Sequence, residues 1–434
     1  MANINDYLKW RGDIPFYMAP FNEADIMILT EMAYFPWDGV LKPGFKDPVK
    51  IKDALKALDL SGRDKNDRKM ADLILKSSRY DHVFLMNFVN EVRKEEDSQF
   101  CALTFKIGFL KYFIAFRGTD NTLVGWKENL NLAYKDHVPA QTKALDYLEN
   151  AAKNKFGSFI IAGHSKGGNL AVYSAAFSSE KTRKRIKAVY NFDGPGFNET
   201  LLEDERFAQI SDRVKTYMPQ ASIIGILLGR KEKYQVVKAH GKDGFDQHHL
   251  HAWEVGPEGP VFTDELSQES AFAETALNEW IGKMNYDERR DFIESVFGLM
   301  EKENFTQVSD LKPTKNKVLI LKEYMISEKA DKKAINKVIA ALTGTVAENA
   351  RTQRNEERSR KKKNLRRPQI LKQPSSEKQS RQKQQAQPGG EVTQSQPIKQ
   401  PAEKQGQQSQ PLQQQSFENQ GQPLLPDKDM EDVQ

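Results

Sequence analysis

Apolar residues between positions 103 and 168 fall into short runs separated by turns and by one helical stretch. Residues 103–105 and 112–116 are aromatic and β-branched runs on either side of a segment that contains a glycine, which predicts a hairpin. Residues 143–155 carry leucines and alanines at helical spacing, and residues 158–162 form a short apolar run typical of a buried strand. The predicted order is therefore strand, strand, helix, strand.

Two more strands follow in the same style. Residues 185–192 and 213–218 each end in turn chemistry, with Asp-Gly-Pro-Gly at 193–196 and a proline at 219. Because strands alternate with helices along this part of the chain, the pattern favours an α/β fold, with a mostly parallel sheet covered by helices on both faces.

The pattern changes after Pro260. Residues 291–301 and 334–342 place apolar side chains at helical spacing, which predicts a C-terminal helical region. Residues 351–434 begin with a basic run and continue as a tract rich in Gln, Pro, Ser and Lys, which cannot bury enough apolar area to fold. The predicted organisation is a hydrolase-like domain over 1–262, a helical appendage over 263–350 and a disordered tail over 351–434.

Composition narrows the setting of this 434-residue chain. Its formal net charge is +5, and nine Lys/Arg against two acidic residues lie within 351–367, so the rest is near neutrality. The single cysteine, Cys101, excludes an internal disulfide and has apolar neighbours, which predicts core packing. The first ten residues lack a signal-peptide pattern, and the most apolar run, 223–228, is too short for a bilayer. A cytoplasmic protein is the default expectation.

The strongest chemical signal is the string GHSKG at residues 163–167. It directly follows the predicted strand 158–162 and opens a helix of small residues, which is the setting of a nucleophile elbow. Gly163 and Gly167 would let the chain turn sharply, so that the hydroxyl of Ser165 is exposed beside the positive end of the helix. We therefore expect an α/β-hydrolase-like fold with Ser165 as nucleophile, against the alternative of an ordinary glycine-rich turn.

An acyl-transfer site also needs hydrogen-bond donors for the oxyanion of its tetrahedral intermediate. The backbone N–H of Lys166, directly after the nucleophile, is one candidate. The other is Thr119, which follows a strand ending in Phe-Arg-Gly at 116–118 and offers both an amide and a hydroxyl. Each such donor is worth about 3 kcal/mol in comparable sites. The alternative is a plain strand-ending turn with Arg117 in a salt bridge.

The general base is sought among seven histidines. In this fold the chain order is nucleophile, acid, histidine, which excludes His82 and His137 and leaves His164 as the variable residue of the elbow. The richest remaining segment, 246–253, makes His248 the candidate, and surface or supporting positions are expected for His240, His249 and His251. A metal site is the alternative for this cluster, although neither a cysteine nor an H-x-x-x-H pair accompanies it.

The candidate acid is Asp193. It ends the strand after the nucleophile helix, so its carboxylate is expected at the same sheet edge as Ser165. The alternative is that Asp193 only stabilises the Asp-Gly-Pro-Gly turn. Asp243 and Asp246 are then the reserve candidates.

Together these residues resemble the Mbeg1-like family, a bacterial group similar to class 3 lipases. The resemblance spans roughly residues 4–342 and is carried by NDYLKW at 5–10, FRGTD at 116–120, GWKE at 125–128, GHSKGGNLA at 163–171, NFDGPG at 191–196 and Gln-His at 247–248. It implies acyl hydrolysis, and it supports Thr119 because class 3 lipases have their oxyanion residue directly after a Phe-Arg-Gly strand end. Those lipases carry their acid in an Asp-Ile-Val-Pro stretch, where this chain has Ser-Ile-Ile-Gly at 222–225. That departure is a further reason to consider Asp193.

These inferences combine into a serine hydrolase acting on an ester or thioester of a small-molecule or lipid acyl substrate, in which His248 deprotonates Ser165 and Asp193 orients the imidazole. Residues 223–228 are candidates for an acyl pocket, a lid or the core. No metal or organic cofactor is implied. The alternative is a catalytically weak hydrolase scaffold that acts as a binding protein, with residues 351–367 contacting nucleic acid or anionic lipid.

Overall fold

The structure, a computed structural model, describes residues 1–302 apart from positions 121, 242–243, 269, 272–273 and 276–284. The predicted helix at 334–342, the tail at 351–434 and the basic run at 351–367 with its expected partners lie outside the described residues. Within the described part, no helix combines the length and the hydropathy of a bilayer span.

A nine-stranded sheet runs through the described part of the chain, with its strands side by side in chain order. They are β1 (Val49–Lys50), β2 (Phe84–Arg93), β3 (Ser98–Gly108), β4 (Lys111–Phe116), β5 (Ser158–His164), β6 (Ile186–Phe192), β7 (Val214–Pro219), β8 (Tyr234–Val237) and, after a separate two-stranded ribbon of β9 (Val255–Gly256) and β10 (Gly259–Pro260), β11 (Phe262–Thr263).

Helices lie before, between and after these strands in the chain. They are α1 (Ile4–Arg11), α2 (Glu23–Glu31), α3 (Ile51–Lys56), α4 (Lys65–Lys76), α5 (Leu123–Asn131), α6 (Pro139–Asn154), α7 (Lys166–Phe177), α8 (Glu180–Arg183), α9 (Glu199–Leu202), α10 (Glu205–Ala208), α11 (Gly244–His248) and α12 (Tyr286–Lys302). Helices α1 and α2 each begin with an asparagine whose side chain accepts backbone N–H bonds, within a capping box that satisfies their otherwise free donors.

Strands β4 to β8 are parallel to one another, whereas β1 to β4 and the pair β8–β11 are antiparallel. The predicted hairpin is β3–β4, with Phe105 opposite Phe113. The predicted α/β class and the parallel sheet are confirmed for the strands around the candidate site. Strands β1 and β2 of the antiparallel flank were not predicted from the local pattern.

The sheet has a core on each face. In β4, Tyr112, Ile114 and Phe116 pack with α6 and α7, whereas Phe113 and Ala115 pack with α1 and α2. This alternation follows from the two-residue period of a strand, and because both faces are buried, the strand is apolar throughout. Helices therefore cover both faces, as predicted.

Two further predictions from the sequence can be compared with the structure. The helical spacing at 291–301 corresponds to α12, where Ile293 and Phe297 are buried in a cluster with Leu123 of α5 and Tyr134. Cys101 is fully buried, and burial raises the pKa of its thiol to about 11. Core packing of Cys101 is therefore confirmed.

Candidate active site

Ser165 lies at the turn between β5 and α7. Its φ of 57° and ψ of −134° fall where side-chain-bearing residues are rarely found, at a cost on the order of 1–3 kcal/mol. The Ser165 amide donates to the carbonyl of Phe192 at 2.9 Å, which ties the turn to β6. A strained serine between a strand and a helix is the backbone geometry of a nucleophile elbow.

The two glycines of the elbow are required by space. A Cβ atom on Gly163 would lie 2.0 Å from the carbonyl oxygen of Gly167, and one on Gly167 would lie 2.1 Å from the carbonyl oxygen of Phe116. Any side chain at either position would therefore push α7 away from β5 or β4. Steric crowding therefore explains why glycines occupy positions 163 and 167, two residues on either side of Ser165.

A cavity of about 790 Å³ opens at the carboxyl ends of β4 and β5. Thr119, Ser165 and His248 all line it. Its apolar lining residues include Tyr34, Trp126, Ile224 and Phe245, and its charged lining residues include Glu31, Arg63, Asp64, Asp120 and Asp246. Residues 223–228 do not all have the same surroundings, because Ile224 lines the cavity whereas Ile226 is buried in the fold.

His248 is paired with Asp193. The Nδ1 atom of His248 lies 2.6 Å from Oδ2 of Asp193, which is fully buried after β6. Because a carboxylate only accepts hydrogen bonds, Nδ1 carries the proton and Nε2 remains free to accept one. Of the reserve acids, Asp246 lines the cavity and Asp243 lies outside the described residues.

The second oxygen of Asp193 is held by the stretch at 222–225. Oδ1 accepts the hydroxyl of Ser222 at 2.5 Å and the amide of Gly225 at 3.1 Å. The sequence resemblance compares this stretch with the acid-bearing segment of class 3 lipases. Here it supplies two donors to a carboxylate that comes from the neighbouring strand.

Ser165 and His248 face the same cavity without a direct bond. Among the hydrogen bonds of the described residues, none joins the Ser165 hydroxyl to His248. In unliganded hydrolases such bonds are often long and tighten when substrate binds.

The two candidate oxyanion donors come from opposite sides of the elbow. Thr119 follows β4, and its Oγ1 is buried without a hydrogen-bond partner among the residues that the structure describes. Lys166 is the first residue of α7, and an amide at that position has no acceptor within its own helix. The salt bridge that was the alternative expectation for this loop is also present, because Arg117 lies 3.5 Å from Asp120 in an ion pair.

The side chain of Lys166 forms a buried ion pair beneath the elbow, which the sequence did not reveal. Its Nζ lies 2.7 Å from Glu128 and 2.6 Å from the carbonyl of Gln99. Burial lowers the pKa of Lys166, although Glu128 opposes that shift. The other oxygen of Glu128 accepts the amide of Ala140, so one carboxylate links α5, α6 and α7. The only sequence signal was the GWKE string at 125–128.

His164 occupies the variable position of the elbow, as expected, and it also makes contacts that the sequence did not reveal. Its Nε2 donates to the carbonyl of His248 at 2.7 Å, and its Nδ1 accepts from the hydroxyl of Tyr34 at 3.0 Å. The Tyr34 oxygen also accepts the amide of Gly118 at 3.0 Å. Burial, with His248 nearby, lowers the pKa of His164 well below 6.5 and keeps it neutral. A hydrogen-bonded chain therefore connects the Thr119 loop to the backbone of His248.

A second polar group borders the cavity. Potential ligand atoms of Glu31, Asp67 and His251 lie within 4.8 Å of one another, which makes them the candidates for a metal among the described residues. Asp67 is already bonded to His251 at 2.9 Å and to Arg63 at 2.6 Å. Burial raises the pKa of Glu31 to about 7. His251, expected at the surface or in a supporting position, is buried in this ion network, and it lines the cavity together with His240 and His249.

The chain is similar to a known protein family and to solved structures. A family model described as Mbeg1-like matches residues 74–298, more than half of the chain. Among solved structures, M37 lipase is 15% identical with a TM-score of 0.30, over 48% of this chain and 69% of that protein. A variant of MDLA from Penicillium cyclopium is 12% identical with a TM-score of 0.34, over 57% of this chain and 87% of that protein. No curated protein matches the chain.

Proposed function

The chain belongs to the Mbeg1-like family, and from that premise we propose that it is a serine hydrolase, which cleaves a carboxylic ester or thioester through an acyl-enzyme on Ser165. One arrangement carries the proposal. A serine on a strained strand-to-helix turn shares a cavity with a histidine whose Nδ1 lies 2.6 Å from a buried carboxylate. These are the parts that nucleophilic catalysis by serine requires.

In the proposed reaction, Oγ of Ser165 attacks the carbonyl carbon of the substrate while Nε2 of His248 takes its proton. The oxyanion accepts hydrogen bonds from Thr119 and from the Lys166 amide. When the intermediate collapses, the leaving alcohol or thiol takes the proton from His248, and Ser165 keeps the acyl group. Water then attacks the acyl-enzyme, with His248 again as base, and the free acid leaves.

Asp193 holds His248 in the required tautomer in this mechanism. Its carboxylate accepts from Nδ1 and stabilises the imidazolium that forms when Nε2 is protonated. Ser222 and Gly225 hold that carboxylate in place through its other oxygen. His164 and Tyr34 act as positioning residues, because they fix the backbone carbonyl of His248.

The cavity supports a small-molecule acyl substrate. A volume of about 790 Å³ lies within the range typical of small-molecule sites, about 300–1,000 Å³. Ile224, Trp126 and Phe245 offer apolar surface to an acyl chain. The carboxylates that also line the cavity offer acceptors to a hydroxylated leaving group. We therefore expect short, water-soluble esters to be accepted.

A fluorophosphonate probe tests the nucleophile directly, because it reacts only with an activated serine. Wild type should be labelled, and Ser165→Ala should not be. Ser158→Ala is the matched control, since it removes a half-buried serine from the opposite end of β5 and should leave labelling intact. Labelling that survives in Ser165→Ala, or a wild type that stays unlabelled, would contradict the proposal.

A series of p-nitrophenyl esters of increasing acyl length, run on the same three proteins, measures turnover. Loss of the nucleophile in a comparable triad lowers kcat by about 10⁶-fold, and a similar loss is expected for Ser165→Ala. The preferred chain length reports the depth of the cavity. Analysis of the products in the presence of an added alcohol distinguishes hydrolysis from acyl transfer.

A further inference from the structure

The opposite edge of the sheet, where the parallel strands begin, has a different surface. Two turns lie side by side there, one at 109–110 between β3 and β4, and one at 156–157 before β5. The amide of Ser158 donates to the carbonyl of Leu110 at 2.9 Å, and a Cβ atom on Gly157 would lie 2.1 Å from the same oxygen. We call the surface formed by these turns and by residues 181–187 the amino edge.

Large apolar side chains project from the amino edge. Phe109 is 87% exposed and Phe156 is 83% exposed, and Leu110 beside them is 42% exposed. Contiguous exposed apolar patches mark interaction surfaces more often than singly exposed apolar side chains do. The turns that carry them are firmly held, because the guanidinium of Arg185 donates to the carbonyls of Gly157 and Ala152.

The charge around these rings is strongly positive. Glu180 is the single acidic residue within 106–111, 153–158 and 180–187, against nine basic residues: Lys106, Lys111, Lys153, Lys155, Lys181, Arg183, Lys184, Arg185 and Lys187. Glu180 is engaged by Lys184 at 2.6 Å. Lys111, Lys153, Lys181 and Lys187 are exposed. The amino edge therefore combines projecting apolar side chains with an excess of cations.

We propose that the amino edge docks onto an anionic lipid surface, with Phe109 and Phe156 inserted between headgroups and the surrounding lysines paired with acidic lipids. An apolar tip with a basic surround is the combination that binds bilayer interfaces. Leu110 favours lipid over nucleic acid, since its aliphatic side chain gains nothing by stacking on a base. The rings also stand at turn tips, whereas nucleic-acid sites hold aromatic rings along a groove.

Docking in this way leaves the cavity turned away from the lipid. Strand β5 runs from Ser158 at the amino edge to His164, and seven residues at about 3.3 Å each place Ser165 about 20 Å from the docked surface. Substrate would then enter from the aqueous side. The docking proposal does not depend on the proposed hydrolase activity.

Vesicle co-sedimentation of the full chain tests the proposal. Binding should require phosphatidylserine, should be weak on pure phosphatidylcholine, and should fall as salt rises. The double substitution Phe109→Ser and Phe156→Ser should weaken binding by about tenfold or more. The matched control is Tyr17→Ser with Met18→Ser, which removes a pair that is 82% and 68% exposed elsewhere and should leave binding unchanged.

A reporter at the edge separates docking there from binding by any other part of the chain. Cys101 is fully buried, so a cysteine introduced as Phe156→Cys can be labelled selectively with an environment-sensitive fluorophore. Its emission should shift to the blue on phosphatidylserine vesicles, and the same label at Tyr17→Cys should not shift. The proposal is overturned by an unshifted label at 156, by full binding of the double Phe variant, or by edge-dependent binding to single-stranded RNA instead of vesicles.

Discussion

Turns with positive φ lie at both ends of the parallel strands, but the side chains at the two ends have opposite surroundings. At the carboxyl ends, Ser165 has a φ of 57° and Asp193 a φ of 48°, and the turns gather buried polar groups around a cavity. At the amino edge, Leu110 has a φ of 51° and Gly157 a φ of 117°, and the turns expose phenyl rings to solvent. Neither arrangement lowers the free energy of folding by itself. The two proposals therefore assign separate functions to the two ends of one sheet.

Among changes that should affect only one end of the sheet, replacing the carboxylate of Asp193 should have the largest effect. Asp193→Asn keeps the shape but cannot hold the Nδ1–H tautomer of His248, so kcat should fall by about 10⁴-fold while vesicle binding is unchanged. The control is Asp246→Asn, which alters a carboxylate in the same cavity. Equal losses in both variants would show that the His248 contact is not what matters.

Thr119 should have the next largest effect. Thr119→Val removes a buried hydroxyl without a partner and keeps the side-chain shape, so kcat should fall by about 10²- to 10³-fold with little change in KM. Thr119→Ser restores the hydroxyl and should recover most of the rate. If the serine variant is as slow as the valine variant, the hydroxyl does not stabilise the oxyanion.

His164 should make the stability of the carboxyl end depend on pH. Because burial lowers the pKa of His164 below 6.5, the unfolded chain binds a proton below that pH that the folded chain does not. The free energy of unfolding should therefore decrease as the pH is lowered below 6.5, by at most about 1.4 kcal/mol per pH unit.

Urea unfolding of wild type and His164→Asn at about pH 7 and about pH 5 isolates this contribution, because only the wild type has a titratable side chain at position 164. The pKa of His251 is raised, through Asp67 and against the effect of burial, and it favours folding at low pH in both proteins. An identical pH dependence in the two proteins would exclude the His164 contribution.

The smallest effect is expected where the amino edge is changed. Phe109→Ser with Phe156→Ser alters exposed side chains, so the free energy of unfolding should change by no more than about 0.5 kcal/mol per site. Hydrolysis of a soluble ester should also be unchanged. A large loss of either would mean that the two ends of the sheet are coupled, and the comparison would fail.

Short-range features of this protein were accessible from its sequence alone. The hairpin of β3 and β4, strands β5 to β7 and the position of Ser165 between a strand and a helix all depend on neighbouring residues. Apolar periodicity and glycine spacing act within a few positions, so they can be interpreted without knowing the fold. Strand β2 was not predicted because it mixes polar and apolar residues towards its end.

Only the tertiary structure decided which distant residues meet. His248 and Asp193 are 55 positions apart, and Tyr34 is 130 positions from His164. Glu128 reaches Lys166 across 38 positions. No local propensity encodes these pairs, because they depend on which strand ends lie together once both faces of the sheet are buried. The sequence alone therefore determined the setting of Ser165 and gave Asp193 and His248 as candidates among several. The packing of the sheet brought these two side chains together, gave His164 its contacts and left the amino edge exposed.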